Sequence, residues 1–230
     1  LYLLDGNPVY HVNHLLGFFS AFNPDAIKNT RFYKGSFPAE YGGRLSSVVD
    51  VRMNDGNRQE YHGNISVGLL SARANLEGPI VKDRSSFNVS VRRTWLDLIT
   101  GTALAIVNKN SDTKESFGYH FFDINAKVNH SFSERSRAYL SFYMGQDAFR
   151  QGSKEKHEDS DDMFLWRWGN LIGSAGWNYV FGQKLFGNLM VGYSRFRSHI
   201  RQEAKGYEIE GNRAERQSIK RDSRYKSEME

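Results

Sequence analysis

The chain has 230 residues, 39% hydrophobic and 25% charged, with no cysteine and a formal net charge of +5. Its pI is near 9.3 and its mean hydropathy is -0.61. The missing thiols exclude a disulfide scaffold, a cysteine nucleophile and a cysteine-ligated metal, and no run approaches the 18 or so apolar residues of a spanning helix.

In chain order, Leu1-Tyr2-Leu3-Leu4 runs into Asp5-Gly6, a turn pair in which Gly supplies positive φ, and then into Pro8. Asn23-Pro24-Asp25 is a helix start, with Asn at the cap and Pro where its missing N–H costs nothing. Arg31 to Lys34 and Ser47 to Val51 read as strands, separated by a glycine-bearing loop from Gly35 to Arg44. These pieces form a small mixed α/β unit.

From Phe87 onward the chain alternates apolar and polar residues with period two, as a strand with one apolar face requires. Phe87, Val89 and Val91 share a face, as do Phe122, Ile124, Ala126 and Val128. So do Leu140, Phe142 and Met144, then Leu171, Ala175 and Trp177, then Leu189, Val191 and Tyr193. The opposite faces are rich in Asn, Ser, Gly and Tyr. Connections alternate between tight (Ser133 to Ser136, Gly182 to Lys184) and long (Leu96 to Tyr119, Asp147 to Phe164), which predicts turns at one end of a sheet and loops at the other. A soluble β-sandwich shares the alternation. The asymmetry of ends and the aromatics Phe132, Trp177, Tyr179 and Phe181 near the short turns match a transmembrane barrel.

The resemblance becomes specific in the first 93 residues. Leu3-Leu4-Asp5-Gly6-Asn7-Pro8-Val9, Asn23-Pro24-Asp25-Ala26-Ile27-Lys28, Tyr33-Lys34-Gly35, Tyr41-Gly42-Gly43 and Ser46-Ser47-Val48-Val49-Asp50-Val51 resemble the second half of a plug domain of the TonB-dependent outer-membrane receptors of Gram-negative bacteria. Tyr61-His62-Gly63 and Glu77-Gly78-Pro79-Ile80 resemble that family's first barrel hairpin and first periplasmic turn. A flip in parity near Leu69, from Ile65 and Val67 to Leu70, Ala72 and Ala74, fits a short hairpin or bulge there.

The resemblance implies a mainly β protein: an antiparallel transmembrane β-barrel of about 22 strands in the full protein, roughly eight of them here, preceded by part of a small α/β plug. Residues 1–55 are expected to be the C-terminal part of the plug and residues 56–230 the N-terminal part of the barrel. An open sheet edge is costly in lipid, and Leu1 is preceded by no signal peptide, N-terminal plug half or TonB-contacting box, so the reading expects a piece of a longer protein. The implied function is TonB-dependent active transport of a scarce ligand across the cell outer membrane, with the plug gating the barrel. Implied partners are TonB with its inner-membrane energising complex, outer-membrane lipid and lipopolysaccharide, and a small-molecule, oligosaccharide or metal-chelate ligand. A surface lipoprotein is a further candidate partner. No cofactor is expected.

For ligand contact the resemblance points to an apical plug loop holding Tyr10, His11, Asn13 and His14, whose plain reading is loop packing. Trp166, Trp168 and Tyr143 are candidates to stack on a ligand or to pack within the wall. For plug–barrel polar contacts the candidates are Arg31, Lys34, Glu40 and Arg44 on one side and Arg92, Asp123, Asn125 and Lys127 on the other, surface pairing being the alternative. The run Lys154 to Asp162 reads as solvated loop, with a calcium site as its functional alternative. The spread of basic residues carries no nucleic-acid-binding motif, so no nucleic-acid partner is expected. No catalytic motif is present, and the chain is not expected to be an enzyme. Two other readings stay open: a receptor-like barrel anchoring a surface lipoprotein or secretion assembly, and a soluble carbohydrate-binding β-sandwich.

Overall fold

Strand dominates the computed structural model, which describes residues 1–35, 38–39, 41–42, 46–155, 161–210, 213–217 and 227–229. The N-terminal unit begins with β1 (Tyr2–Leu4) and β2 (Asn7–Pro8), joined at Asp5 (φ 46°) and Gly6 (φ 83°). Two successive positive φ angles are what a two-residue hairpin turn needs. After β3 (Asn13–His14) and β4 (Phe19–Ser20) come β5 (Ile27–Tyr33) and β6 (Val48–Met53). The small sheet runs β2-β1-β6-β5, with β1 parallel to β6. Asn23 does cap a helix, accepting from the Asp25 N–H at 3.2 Å, but that helix is one 3-10 turn, Pro24–Ala26. The β-branched Ile27 enters the extended β5 directly after it. Leu3, Leu4, Val48, Val51 and Met53 are buried in this unit.

The large sheet is an antiparallel meander. Its strands are β7 (His62–Val67), β8 (Ser71–Val81), β9 (Ser85–Thr94), β10 (Thr113–Ser133), β11 (Ser136–Glu155), β12 (Asp161–Val180), β13 (Phe186–Glu210) and β14 (Arg213–Gln217). Each pairs with its chain neighbour from β7 to β14, and β15 (Ser227–Met229) pairs with β13. The parity flip is a hairpin: Gly68 N–H donates to Ser71 C=O at 2.8 Å between β7 and β8.

One expectation fails in an informative way. The gaps Leu96 to Tyr119 and Asp147 to Phe164 are not mainly loop. The first holds α1 (Leu96–Val107) and the first turns of β10, and β11 and β12 stay paired from Ser136–Tyr179 as far as Lys154–Asp161. The hydrogen-bond ladder does not need alternating side chains, so strands continue past the point where hydrophobic periodicity ends. The acidic run's residues 156–160 lie outside the described residues, as do Glu40 and Arg44.

The two faces of the large sheet are the reverse of those of a water-soluble protein. On β9 the buried positions are Ser86, Asn88, Ser90, Arg92 and Thr94, while Val89 is exposed. On β10, Asp123, Asn125, Lys127 and Asn129 are buried and Val128 is exposed. Leu140 and Val191 are each 64% exposed. The polar face is covered by the N-terminal unit, which touches groups on β8 through β13.

Candidate functional site

Where the N-terminal unit meets the polar face, charged groups are arranged in two buried nodes. Burying charge without partners costs several kcal/mol, so each node must be closed by complementary groups.

The first node surrounds His14, fixed at the end of β3 before a 3-10 turn over Leu15–Gly17. His14 Nδ1 lies 2.7 Å from Asp147 Oδ2, and Nε2 lies 2.8 Å from Asp123 Oδ1. Arg92 Nε donates to the other Asp123 oxygen at 2.8 Å, and its Nη2 donates to Ser20 C=O at 2.7 Å. The Tyr119 hydroxyl donates to Asp147 Oδ1 and accepts from Leu15 N–H. The imidazole stacks on Phe121 with ring centroids 4.2 Å apart. Burial disfavours a charged imidazole, but the hydrogen bonds and charges of Asp123 and Asp147 outweigh it and raise the His14 pKa to about 9. His14 is therefore an imidazolium at neutral pH, bridging two carboxylates.

The second node is built on Lys127 and Asp55. Lys127 Nζ lies 3.1 Å from Asp55 Oδ1 and 3.3 Å from Asp5 Oδ2, donates to Met53 C=O at 3.1 Å, and stands over the Tyr139 ring. Asp55 also meets Lys28 at 2.7 Å and Arg137 at 3.0 Å. Burial alone would raise the Asp55 carboxyl, but Lys28, Lys127 and Arg137 hold it down at about 2. Asp5, the turn residue of the first hairpin, accepts from Met53 N–H at 3.1 Å through Oδ1. The same aspartate closes the turn and receives the wall lysine.

Neutral contacts complete the interface. Asn23 Nδ2 donates to Ser90 Oγ at 2.6 Å, Asn170 Nδ2 donates to His11 C=O at 2.7 Å, and Asn129 Nδ2 donates to Asp55 C=O at 3.0 Å. Among the described residues, Leu4, Val9, Ala21, Val51 and Met53 cluster with Tyr143 and Ile172, with Val12, Phe22, Ile27 and Val49 packed against them, and Leu15 and Phe19 lie beside Tyr119, Phe121 and Trp168.

Of the residues singled out in the sequence, Arg92, Asp123, Asn125 and Lys127 all lie buried on the face that meets the N-terminal unit. Arg31 and Lys34 are exposed on and after β5, and no ion pair among the described residues ties them to the sheet. In the loop considered for ligand contact, Asn13 is exposed and Tyr10 partly buried. His11 lies 5.9 Å from Trp168 and 6.0 Å from Phe196, centroid to centroid, and burial lowers its pKa. His14 is buried between wall carboxylates rather than open to a ligand. Sequence reasoning did not select Asp5, Asp55, Tyr119, Arg137 or Asp147. Asp147 continues the inward parity of Ser141, Tyr143 and Gly145 and was within reach of the period-two rule.

No family model and no curated protein matches the chain. Among solved structures it is similar to the siderophore receptor PirA from Acinetobacter baumannii, at 14% sequence identity and a TM-score of 0.42. The match covers 87% of this chain and 40% of that one, so the chain spans about two fifths of that structure. At that identity and score the likeness carries nothing about what this chain binds.

Proposed function

We propose that the chain is part of an outer-membrane receptor in which residues 1–55 form part of a plug inside a transmembrane β-barrel, and that the receptor imports a scarce ligand in a TonB-dependent manner. The observation that carries this reading is the inversion of the sheet's faces. A sheet that buries Asp123, Lys127 and Asn129 while leaving Val89, Leu140 and Val191 exposed is suited to hydrocarbon outside and a polar filling inside.

The dimensions agree. On β10 the outward positions run from Phe132 through Val128 and Ile124 to Phe122 with no Asp, Glu, Lys or Arg. Ten steps of about 3.3 Å, tilted about 40°, give a band roughly 25 Å tall, the apolar height of outer-membrane barrels. Tight turns at 82–84, 134–135 and 181–185 all close one end. The TonB dependence rests on the plug-like residues from Leu3 to Val51 and on the nature of the interface. A polar interface can be undone by exchanging protein partners for water, whereas a greasy one would resist a pull.

The test is uptake by cells producing the full-length protein, using a panel of ferric chelates, cobalamin, oligosaccharides and peptides. The protein is expected in the outer-membrane fraction, and uptake of one class is expected to stop when TonB is deleted or the proton-motive force is dissipated. Uptake unchanged by loss of TonB, or a full-length protein soluble without detergent, would overturn the reading.

A further inference from the structure

We infer that the segment from Tyr10 to Phe22 is a strained latch held shut by the His14 node, and that the N-terminal unit opens by releasing it while Asn54 to Tyr61 stay strapped to the wall; this rests on the receptor reading above. Among the described residues, the non-glycine residues with positive φ are Asp5, Leu15 and Asp83. The short polar side chain of Asp eases that conformation. Leucine has no such relief, and Leu15 at φ 47° pays for a left-handed backbone a population factor on the order of ten. Strain of this kind persists only where the surroundings hold it. Here Leu15 N–H donates to the Tyr119 hydroxyl at 2.5 Å, that hydroxyl donates to Asp147, and Asp147 grips His14, the residue before. The node that joins unit to wall also holds the strained residue in place.

The polar ties of this segment run to the wall. His11 N–H donates to Asn170 Oδ1 at 3.3 Å, the same asparagine donates back to His11 C=O at 2.7 Å, and Ser20 C=O accepts from Arg92 at 2.7 Å. Ala21 N–H donates to Val12 C=O at 2.8 Å, so the segment closes on itself, and Val12, Ala21 and Phe22 supply its packing against Leu4, Val51 and Met53. At its tip Gly17 has φ 108° with open space where a Cβ would stand, and Phe18 is 84% exposed. Breaking the node therefore releases the strain and loosens the segment in one step.

The other end is built to stay. Residues 54–61 join β6 to β7, and a free chain of that length would span about 26 Å and let the unit travel the height of the apolar band. It is not free. Asn54 Nδ2 donates to Glu77 at 2.8 Å, and Asp55 C=O accepts from Ser86 at 2.7 Å and from Asn129 at 3.0 Å. Asp55 also pairs with the wall cations Lys127 and Arg137, and the Gly56 Cα lies against the Phe87 carbonyl. Further on, Gln59 bonds Asp83, Asp83 N–H donates to Arg58 C=O at 3.2 Å, and the Tyr61 hydroxyl donates to Pro79 C=O at 2.8 Å. The Tyr61 ring lies over Gly78, where any Cβ would collide with it. These ties reach β8, β9, β10 and β11 together, and no strained residue other than glycine sits among them. An opening that starts at Leu15 and stops at Asn54 swings one end of the unit clear and keeps the other on the wall.

The experiment follows hydrogen exchange of peptides from 10–22 and 54–61 in the full-length protein in detergent. The latch peptides are expected to exchange at least about tenfold faster than the strap peptides. Tyr119→Phe should speed the latch by on the order of tenfold and leave the strap within about twofold. Leu15→Gly and Leu15→Ala remove the same side chain but differ in the cost of positive φ, so the glycine variant should exchange the latch several-fold more slowly than the alanine variant, the reverse of the order at an ordinary position. Equal exchange in that pair, or faster exchange with glycine, would overturn the strain, and latch and strap accelerating together would overturn the strap. If Tyr119→Phe fails to fold, the Leu15 pair decides the first point and the parent's two rates decide the second. In cells, cysteines at His11 and Asn170, or at Gln59 and Asp83, are joined by a short bridging reagent that a reductant cleaves. Uptake is expected to stop with the first bridge, return on reduction and continue with the second; the opposite pattern overturns the inference. A parent that transports nothing would count against the receptor reading alone, since the exchange rates are read without transport.

Discussion

His14 Nδ1 lies 2.7 Å from Asp147 Oδ2 across 133 positions of sequence, one histidine of the N-terminal unit locked to a carboxylate of the wall. Replacing His14 by Ala leaves Asp123 and Asp147 buried without the cation between them. The expected cost is about 3–5 kcal/mol of docking between the unit and the sheet. Hydrogen exchange at the amides of β6 measures it, and protection equal to that of the parent would contradict the bridging role.

Alkali should loosen the same joint. The His14 pKa is raised from 6.5 to about 9, so its contribution is complete below about pH 6.5 and disappears as pH rises through 9. The shift corresponds to about 3 kcal/mol. Protection of β6, corrected for intrinsic exchange rates, should fall across that window, and His14→Gln should flatten the fall.

Acid should act on the other node. The Asp55 carboxyl is held at about 2 against an ordinary 3.8, so its contribution is complete above pH 3.8 and is lost as pH falls through 2. Asp55→Asn should remove this acid-labile part while lowering stability at neutral pH. Denaturant midpoints measured between about pH 2 and 5 decide it; an unchanged acid slope in the variant would assign the transition elsewhere.

Leu140→Arg separates lipid from water directly. Leu140 is 64% exposed, and on a soluble surface the change would matter by about 0.5 kcal/mol or less. Facing the bilayer midplane it should cost about 2–4 kcal/mol. The folding equilibrium into lipid vesicles reads the difference.

Gly56→Ala probes the crossing between unit and sheet. Gly56 has φ 79°, and a Cβ there would overlap the Phe87 carbonyl oxygen of β9. Backbone cannot yield as a side-chain tip can, so the expected loss is at least about 1–2 kcal/mol. A melting temperature within error of the parent would show that the crossing gives way instead.

How much was legible depended on which rule each residue obeys. Val89, Ile124, Leu140 and Val191 were legible because a strand puts every second side chain on one face, and here that face is apolar. The Asp5-Gly6 turn was legible because positive φ is expensive for most residues. Strand length was not: Thr113 pairs with Glu155 and Lys154 with Asp161, where both faces are polar and no alternation betrays the ladder. Asp147 was missed although it keeps the inward parity of Ser141, Tyr143 and Gly145, because the strand was taken to end before it. The role of Asp55 was invisible for another, since Lys28 and Arg137 lie 27 and 82 positions away and only the fold brings them to one carboxylate. Of the candidate contacts, Arg92, Asp123 and Lys127 followed from inward parity, whereas Arg31 and Lys34 had only their charge to recommend them.

The exposed row of Val89, Val128, Leu140, Trp177 and Val191 sets a condition on the life of the chain before it reaches its destination. On the receptor reading, a newly made polypeptide must travel through an aqueous compartment carrying a surface that has no folded partner of its own to hide it. Such a surface clumps with copies of itself. Delivery therefore demands an escort that grips the greasy side and lets go only at the bilayer, and the charged interior cannot serve in its place.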